Sequence, residues 1–111
     1  MFVAAYWWDV HPDKEEQFRA AWRRGTELIR AIYGSHGSRL HREQRDDGRI
    51  RFIGIAEWPD RATWQRAFDA QMAYDDPATR QAFAEAICGW ADEPLLLLEV
   101  TDDLLDRAVA G

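Results

Sequence analysis

Two side chains with polar hydrogens stand in apolar surroundings, where they could act as hydrogen-bond donors to an enclosed ligand. Trp58 ends the run Arg49–Trp58 and is followed at once by Pro59. Tyr6 lies in the N-terminal run Phe2–Asp9, which is almost entirely apolar or aromatic. A buried indole N–H or phenol O–H finds its partner in the core or in a bound molecule. Both residues are therefore either core aromatics or the lining of a pocket.

The residues beside Trp58 favour the pocket. In an alternating strand, Trp58 shares its side with Phe52, Gly54 and Ala56. Gly54 and Ala56 leave space beside a large ring, and missing side-chain volume there makes a cavity rather than a filled core. The predicted lining of this pocket comprises Trp8, Trp22, Phe52, Gly54, Trp64, Phe68, Met72 and Phe83.

The histidines are candidates for a general base or for metal ligands. His11 precedes a predicted helix and His36 lies in a Gly-Ser loop, so both are expected at the surface. His41 lies on the second predicted strand, where it could face a ligand and act as a general base. No pair of histidines has metal-ligand spacing, so no metal site is expected. Cys88 is expected to be a small core residue inside the third predicted helix.

These candidates are positioned by a simple order of elements. The predicted strands are 2–9, 38–45, 49–58 and 95–101, and the predicted helices are 13–33, 60–74 and 77–90. The order is β-α-β-β-α(α)-β, which indicates an α+β, ferredoxin-like fold with a four-stranded antiparallel sheet. We expect one domain over residues 1–111, with a core at 2–101 and a tail at 102–111 that could form a short helix.

The apolar residues on both faces of this sheet predict a protein partner. Right-handed crossovers place the helices on one face and leave the other face open. However, Val3, Ala5 and Trp7 on one side of the first strand are as apolar as Tyr6 and Trp8 on the other. A small sheet that is apolar on both sides needs a second covering surface. We expect a homodimer that packs through the sheet face.

Arginines concentrate on the two central predicted strands and their turn. Alternating with acidic residues, they indicate a cross-strand ladder of ion pairs, and a site for an anionic ligand is the less favoured alternative. The residues concerned are Arg39, Arg42, Arg45, Arg49 and Arg51.

Composition limits the class of function. The net charge is −6, from 14 basic and 20 acidic residues, which argues against nucleic acid or an anionic membrane as partner. The single cysteine fits a reducing compartment. The N-terminus lacks the basic segment of a signal peptide, and the longest apolar run, 95–98, is too short to span a membrane. A cytoplasmic protein is expected.

Several short motifs resemble the antibiotic biosynthesis monooxygenase family of the dimeric α/β barrel superfamily. The run 10–18, Val-His-Pro-Asp-Lys-Glu-Glu-Gln-Phe, is similar to the family's helix entry, with Asp13 where the family has Gly. Residues 37–40 look like its second-strand entry, and 57–64 look like its strand-to-helix joint. The resemblance extends over residues 2–100.

The resemblance implies an enzyme, a monooxygenase that oxidises an aromatic polycyclic phenol or quinol with O₂ and needs no cofactor. It places the pocket within each subunit, between sheet and helices, with Trp58 at the position of the family's pocket Trp. Tyr6 falls where one branch of the family has a polar Asn. For this chemistry, Tyr6 and Trp58 would donate hydrogen bonds to the deprotonated substrate, with His41 as the candidate base.

The sequence also departs from the family. It contains no Asn, so the family's pocket Asn is absent. This departure, together with the lack of an obvious base, favours an alternative function. In that alternative, the chain is a non-catalytic homodimer of the same fold that binds a small hydrophobic molecule.

Overall fold

The structure is a computed structural model that describes residues 1–106. The strands are β1 (Phe2–Val10), β2 (Gly37–Gln44), β3 (Ile50–Trp58), β4 (Ile87–Trp90) and β5 (Leu96–Glu99). The helices are α1 (Glu15–Tyr33), α2 (Arg61–Asp69) and α3 (Pro77–Ala86), with a 3₁₀ turn (Pro12–Lys14) before α1. Within the described residues, no helix is long and apolar enough to cross a membrane.

The strands form one antiparallel sheet in which β1 and β3 are central. The order is β2-β3-β1-β4, and β5 also pairs with β1. Two short strands therefore share the edge of β1 that faces away from β3, which is the fourth position of the sheet. Strand β4 pairs with the Trp8–Val10 end of β1, and β5 pairs with the Phe2–Ala5 end. The α+β, ferredoxin-like fold predicted from the sequence is confirmed.

The core lies between the helices and one face of the sheet. Side chains of alternate residues in β1 and β3 meet there, because Phe2 pairs with Trp58 and Trp8 with Phe52. One cluster joins Phe2 and Trp58 to Trp64 of α2. A second cluster joins Phe52 to Phe18 of α1. These two clusters hold both crossover segments against the same face, as the handedness of the connections requires.

Local sequence signals account for the helix ends. The Asp60 carboxylate accepts a hydrogen bond from Thr63 N at 2.7 Å, and the Asp76 carboxylate accepts one from Thr79 N at 3.1 Å. Each carboxylate satisfies a backbone N–H that has no partner within the first turn. Gly34 ends α1 with φ of 83°, which is a conformation that favours glycine. The predicted caps of α2 and α3 are confirmed.

The predicted end of the third helix, at Trp90, is wrong. Helix α3 stops at Ala86, and residues 87–90 form β4 along the edge of β1. Pairing with β1 outweighs helical continuation here, because it gives partners to backbone groups that would otherwise stand unpaired at the sheet edge. Cys88 consequently lies at a bulge in this edge strand and is exposed.

Two further boundaries differ from prediction. Helix α2 ends at Asp69 rather than near Tyr74, because Gln71 and Met72 turn the chain with positive φ angles of 58° and 48°. The predicted last strand, 95–101, is shortened to 96–99. Residues 102–106 are not helical. The rest of the predicted terminal helix, 107–111, lies outside the described residues.

The face of the sheet opposite the helices is uncovered in the single chain. Val3, Trp7, Ile53 and Ile55 are half-buried there. Within this face, the Asp9 carboxylate is 6% exposed and accepts two hydrogen bonds from Arg51, at 2.8 and 3.1 Å. These hydrogen bonds, opposed by burial and assisted by the positive charges around it, lower the pKa of Asp9.

Most of the hairpin arginines take part in ion pairs, but none of the ion pairs observed among the described residues joins the two hairpin strands, as the predicted ladder required. Arg42 pairs with Glu15 of α1 at 2.6 Å, and Arg45 pairs with Glu43 at 2.8 Å. The guanidinium of Arg51 also lies 3.9 Å from the centre of the Trp7 ring, where a cation is attracted to the ring face. Ion pairs with α1, β2, the turn and β1 therefore account for Arg42, Arg45, Arg49 and Arg51.

Candidate functional site

A cavity of about 360 Å³ lies between the helix face of the sheet, helix α1 and the segment from residue 71 to α3. Its floor includes Tyr6 of β1 and Ala56 of β3. Its other walls include Ile29 of α1, Met72 and Phe83. Pockets for small molecules are commonly about 300–1,000 Å³ and are mainly apolar. This cavity is therefore of a size and character suited to one small aromatic ligand.

Trp58 lines the cavity and carries a hydrogen-bond donor with no acceptor. The residue is 1% exposed, and Nε1 has no hydrogen-bond partner among the described residues. Its position follows from the strand end, because Pro59 and the Asp60 cap turn the chain immediately into α2. An unsatisfied buried donor costs about 1–3 kcal/mol. A ligand oxygen within reach of Nε1 would remove that cost.

Tyr6 lines the same cavity and is held by a neighbour. Trp64 Nε1 donates a hydrogen bond of 2.8 Å to the Tyr6 hydroxyl oxygen. The Tyr6 O–H is therefore left to donate to another group. Burial raises the pKa of Tyr6, and the hydrogen bond from Trp64 partly offsets that rise. Tyr6 is thus a neutral donor at physiological pH.

Trp8 and Trp22 form flat walls beside these donors, and both lie over Gly54. A Cβ atom at Gly54 would be 3.1 Å from a ring carbon of Trp8 and 3.4 Å from Trp22 Nε1. The Trp8 ring also packs edge-on against Phe83, with the centroids 5.6 Å apart. The missing side chain at Gly54 thus makes room for the two rings that line the cavity.

The turn after α2 forms the wall opposite the sheet. Its residues 71–74 all line the cavity. Backbone hydrogen bonds from Gln71 N to Phe68 O and from Met72 N to Ala67 O, both 2.8 Å, fix the turn. Two successive non-glycine residues with positive φ are uncommon and store strain. The turn places Met72 and Tyr74 against the cavity.

The cavity brings together six of the residues predicted from the sequence for this site. They are Tyr6, Trp8, Trp22, Trp58, Met72 and Phe83.

Four predicted lining residues lie behind this surface. Gly54 is beneath Trp8 and Trp22, as described above. Phe52 packs against Phe18 in the core, with the ring centroids 5.0 Å apart. Trp64 reaches the site only through its hydrogen bond to Tyr6, and Phe68 packs on Trp64 at 5.1 Å. These residues support the walls rather than forming them.

His41 lies on the other side of the sheet. Its Nδ1 is 3.1 Å from the Ile53 carbonyl oxygen, and its side chain lines a separate cavity of about 650 Å³. That space lies on the uncovered face, partly under residues 102–105. The smaller cavity is lined by Trp58, whose Nε1 has no acceptor among the described residues, and by Tyr6. We therefore assign the candidate site to the smaller cavity.

Polar residues at the rim of the cavity were not predicted from the sequence. They include Thr26 of α1, Gln71 and Arg80 of α3. The helical spacing of Arg80 and Phe83 on α3 could have indicated a shared face. Residues 70–73 gave no sequence signal for a turn, because the predicted second helix runs through them. Among the described residues, no cluster of His, Cys, Asp and Glu suits a metal ion.

Known structures share the fold at low sequence identity. One antibiotic biosynthesis monooxygenase has 19% identity and a TM-score of 0.59, covering 92% of this chain and 100% of that one. SnoaB, a cofactor-independent oxygenase from Streptomyces nogalater, has 17% identity and a TM-score of 0.56, covering 93% and 95%. Rv0793 from Mycobacterium tuberculosis has 16% identity and a TM-score of 0.56, covering 94% and 98%.

Sequence comparisons give the family. No curated protein sequence matches the chain significantly. The family model for antibiotic biosynthesis monooxygenase matches residues 1–84, which include β1, α1, the hairpin, α2 and most of α3. The matched region contains all the described lining residues of the cavity, since the last of them in the sequence is Phe83. The chain therefore belongs to the antibiotic biosynthesis monooxygenase family.

Proposed function

We propose that the chain is a monooxygenase that oxidises an aromatic polycyclic phenol or quinol with O₂ in the cavity beside Trp58, without a cofactor. The observation that carries this proposal is the buried Trp58 Nε1–H, which lacks an acceptor in the described structure. A deprotonated phenol supplies an oxyanion for such a donor. Hydrogen bonds that are already oriented toward a developing negative charge are the usual source of catalysis at such sites.

The reaction needs no electron donor other than the substrate. The phenolate form of an electron-rich ring passes an electron to O₂ more readily than the neutral form. Oxygen then adds to the ring. Overall, the ring carbon loses two hydrogens and gains one oxygen atom, and the second oxygen atom of O₂ leaves as water.

Tyr6 and Trp58 would stabilise the anion in this scheme. Tyr6 keeps its proton because burial raises its pKa, and its oxygen already accepts a hydrogen bond from Trp64. Chains of hydrogen bonds polarise one another, so the bond from Trp64 strengthens Tyr6 as a donor. The cavity lining contains no carboxylate and no imidazole among residues 1–106. The substrate's own acidity therefore governs the first step, and we expect turnover to rise with pH through the pKa of the bound substrate.

Oxygen uptake with anthrone, the keto tautomer of a three-ring phenol, tests this proposal. The purified protein, with a metal chelator and no flavin, should consume O₂ and form anthraquinone faster than the uncatalysed reaction.

Trp58→Phe should lower kcat about tenfold to a hundredfold, because it removes one donor to the oxyanion and keeps a ring. Trp90→Phe is a suitable control, since Trp90 is 58% exposed and lies outside the cavity. Equal rates for the Trp58→Phe and native proteins would remove Trp58 from the mechanism.

One observation favours a second candidate function, which is binding of a hydrophobic molecule without catalysis. No carboxylate or imidazole that could act as a general base is present in the described part of the lining, and His41 is on the opposite face of the sheet. A binding protein of this kind would bind anthraquinone-like rings yet leave the rate of O₂ uptake at the uncatalysed value. The same pair of measurements therefore distinguishes the two functions.

We also propose that two copies associate through the uncovered sheet face. The support is the apolar character of that face. Leu96 and Leu98 are 48% and 50% exposed in the single chain, beside Val3 and Ala5 of β1. A contiguous apolar surface of this kind is typical of an interface, and two-fold pairing is the commonest way to cover it. The active cavity is on the other face, so each copy would keep its own site.

A further inference from the structure

The described residues that line the cavity carry charge of one sign. Although the protein carries a net charge of −6, none of the described lining residues is acidic. Arg80 is the one charged side chain among them. Every other described lining residue is apolar or uncharged and polar, so this guanidinium determines the electrostatic character of the site.

Arg80 has no carboxylate within ion-pair distance in the described structure, although an acidic residue lies one turn before it. That residue, Asp76, already has other partners. Its carboxylate caps α3 through Thr79 N and lies 3.4 Å from Arg24 Nε. Since Asp76 is committed to these two groups, Arg80 is left for another anion.

The position of Arg80 is at the open end of the cavity. Arg80 is exposed, whereas Trp58 is 1% exposed. Tyr74 lies between the rim and helix α1, where a Cβ at Gly25 would be 3.0 Å from its hydroxyl oxygen. Burial raises the pKa of Tyr74, the positive charge of Arg80 opposes that rise, and the negative charge of Asp76 adds to it. Tyr74 and Arg80 both line the cavity.

We propose that the ligand of this site is a polycyclic phenol that bears a carboxylate, with Arg80 binding the carboxylate at the rim and the fused rings directed toward Trp58. The inference rests on the proposed function, because it concerns the same cavity and the same class of ring. A guanidinium matches the two oxygens of a carboxylate in a planar, bidentate pair. Tyr74 can add a hydrogen bond from the side.

A matched pair of ligands tests the inference by isothermal titration calorimetry. Anthraquinone-2-carboxylate carries the charge, and anthraquinone-2-carboxamide has nearly the same shape without it. The native protein should bind the carboxylate more tightly. Arg80→Ala should weaken carboxylate binding about fivefold, as expected for a partly exposed ion pair, and should leave carboxamide binding unchanged. Arg80→Lys should keep part of the preference, because charge remains but the bidentate geometry is lost.

The control variant is Arg30→Ala. Arg30 is also exposed and lies outside the cavity lining, so its removal changes the net charge equally. A loss of carboxylate binding as large in Arg30→Ala as in Arg80→Ala would overturn the inference, since it would reflect net charge alone. Equal affinity for the two ligands in the native protein would also overturn it, while leaving the proposed function intact. If neither ligand binds, both the proposed function and this inference fail.

Discussion

Trp58 combines two properties that rarely coexist in a stable core. It is almost completely buried, and its N–H is without an acceptor in the described structure. The unpaired donor costs about 1–3 kcal/mol of folding free energy. A core with no other role would more simply use Phe at this position. Under the proposed function, the bound substrate supplies the acceptor that Trp58 Nε1 lacks.

The hydrogen bond from Trp64 to Tyr6 leads to a prediction about the pKa of the Tyr6 hydroxyl. Trp64→Phe should raise the pKa of Tyr6, because the lost bond is the contact that lowers it. Trp64 is 2% exposed, so the smaller ring will also reduce stability. Nuclear magnetic resonance of ¹³C-labelled tyrosine separates Tyr6 from Tyr33 and Tyr74 and gives the pH at which each hydroxyl ionises.

Phe68→Leu provides the control for this measurement. It removes the ring that packs on Trp64 at 5.1 Å but keeps the indole N–H. The Tyr6 resonance should then titrate as in the native protein. A Tyr6 pKa that stays constant or falls in Trp64→Phe would show that the indole does not tune the hydroxyl.

The side of β3 on which Trp58 lies could be predicted from the sequence. The strand alternates regularly, so Gly54 and Ala56 are expected on the side of Trp58, and they lie on the helix face with it. The roles of Trp64 and Arg80 could not be predicted. Each depends on the position of a helix relative to the sheet, which no local pattern encodes.

At the scale of elements, sequence patterns predicted the start of α2 but not its end at the following turn. The Asp60 cap marked the start of α2, because capping depends on a few neighbouring residues. The end was missed because Gln71 and Met72, which are good helix formers, adopt positive φ. Hydrogen bonds from Gln71 N to Phe68 O and from Met72 N to Ala67 O fix this conformation, and no residue type in the segment signals it. The end of α3 was missed for a similar reason, because pairing with β1 overrides helical continuation at Ile87.

The strained turn predicts a stabilising substitution. Gln71 is exposed and has φ of 58°, so Gln71→Gly should raise the free energy of unfolding by about 0.5–1 kcal/mol. The relief of strain in the folded state outweighs the greater flexibility of glycine in the unfolded chain. Urea denaturation followed by circular dichroism measures this difference.

A second glycine variant controls for flexibility alone. Gln81 is exposed inside α3, where Gln81→Gly should lower stability by about 1 kcal/mol. A loss of stability in Gln71→Gly similar to that in Gln81→Gly would contradict the assignment of strain to the turn.

At the scale of the whole molecule, the two faces of the sheet differ in what covers them. One face carries the helices and the cavity, and the other presents an apolar surface in the single chain. The need for a second covering surface could be predicted, because apolar residues occur at both alternations of β1. The cavity under residues 102–105 could not be predicted, because it depends on where these residues lie relative to the sheet.

The dimer proposal predicts the effect of a charge on this face. Leu98→Asp should convert the dimer into a monomer at micromolar concentration, because it would bury an unpaired carboxylate at the interface. Leu98 is half-exposed in the single chain, so the fold itself should persist. Sedimentation velocity measures the change. Ile32→Asp, at a site 53% exposed on α1, should leave the association unchanged. A native protein that sediments as a monomer would refute the proposal.

The division of the fourth sheet position between β4 and β5 has a consequence for hydrogen exchange. The backbone amides at the Phe2–Ala5 end of β1 depend on β5, and those at the Trp8–Val10 end depend on β4. The segment that joins the two short strands is exposed at residues 91–93. Either strand can therefore detach while the other remains paired, so one edge of β1 should exchange in two separate steps. Strand β5 holds the end of β1 remote from Trp8, and its Leu97 packs against the core cluster that contains Trp58. Opening of β5 would therefore loosen the Trp58 side of the cavity and leave the Trp8 end of β1 paired.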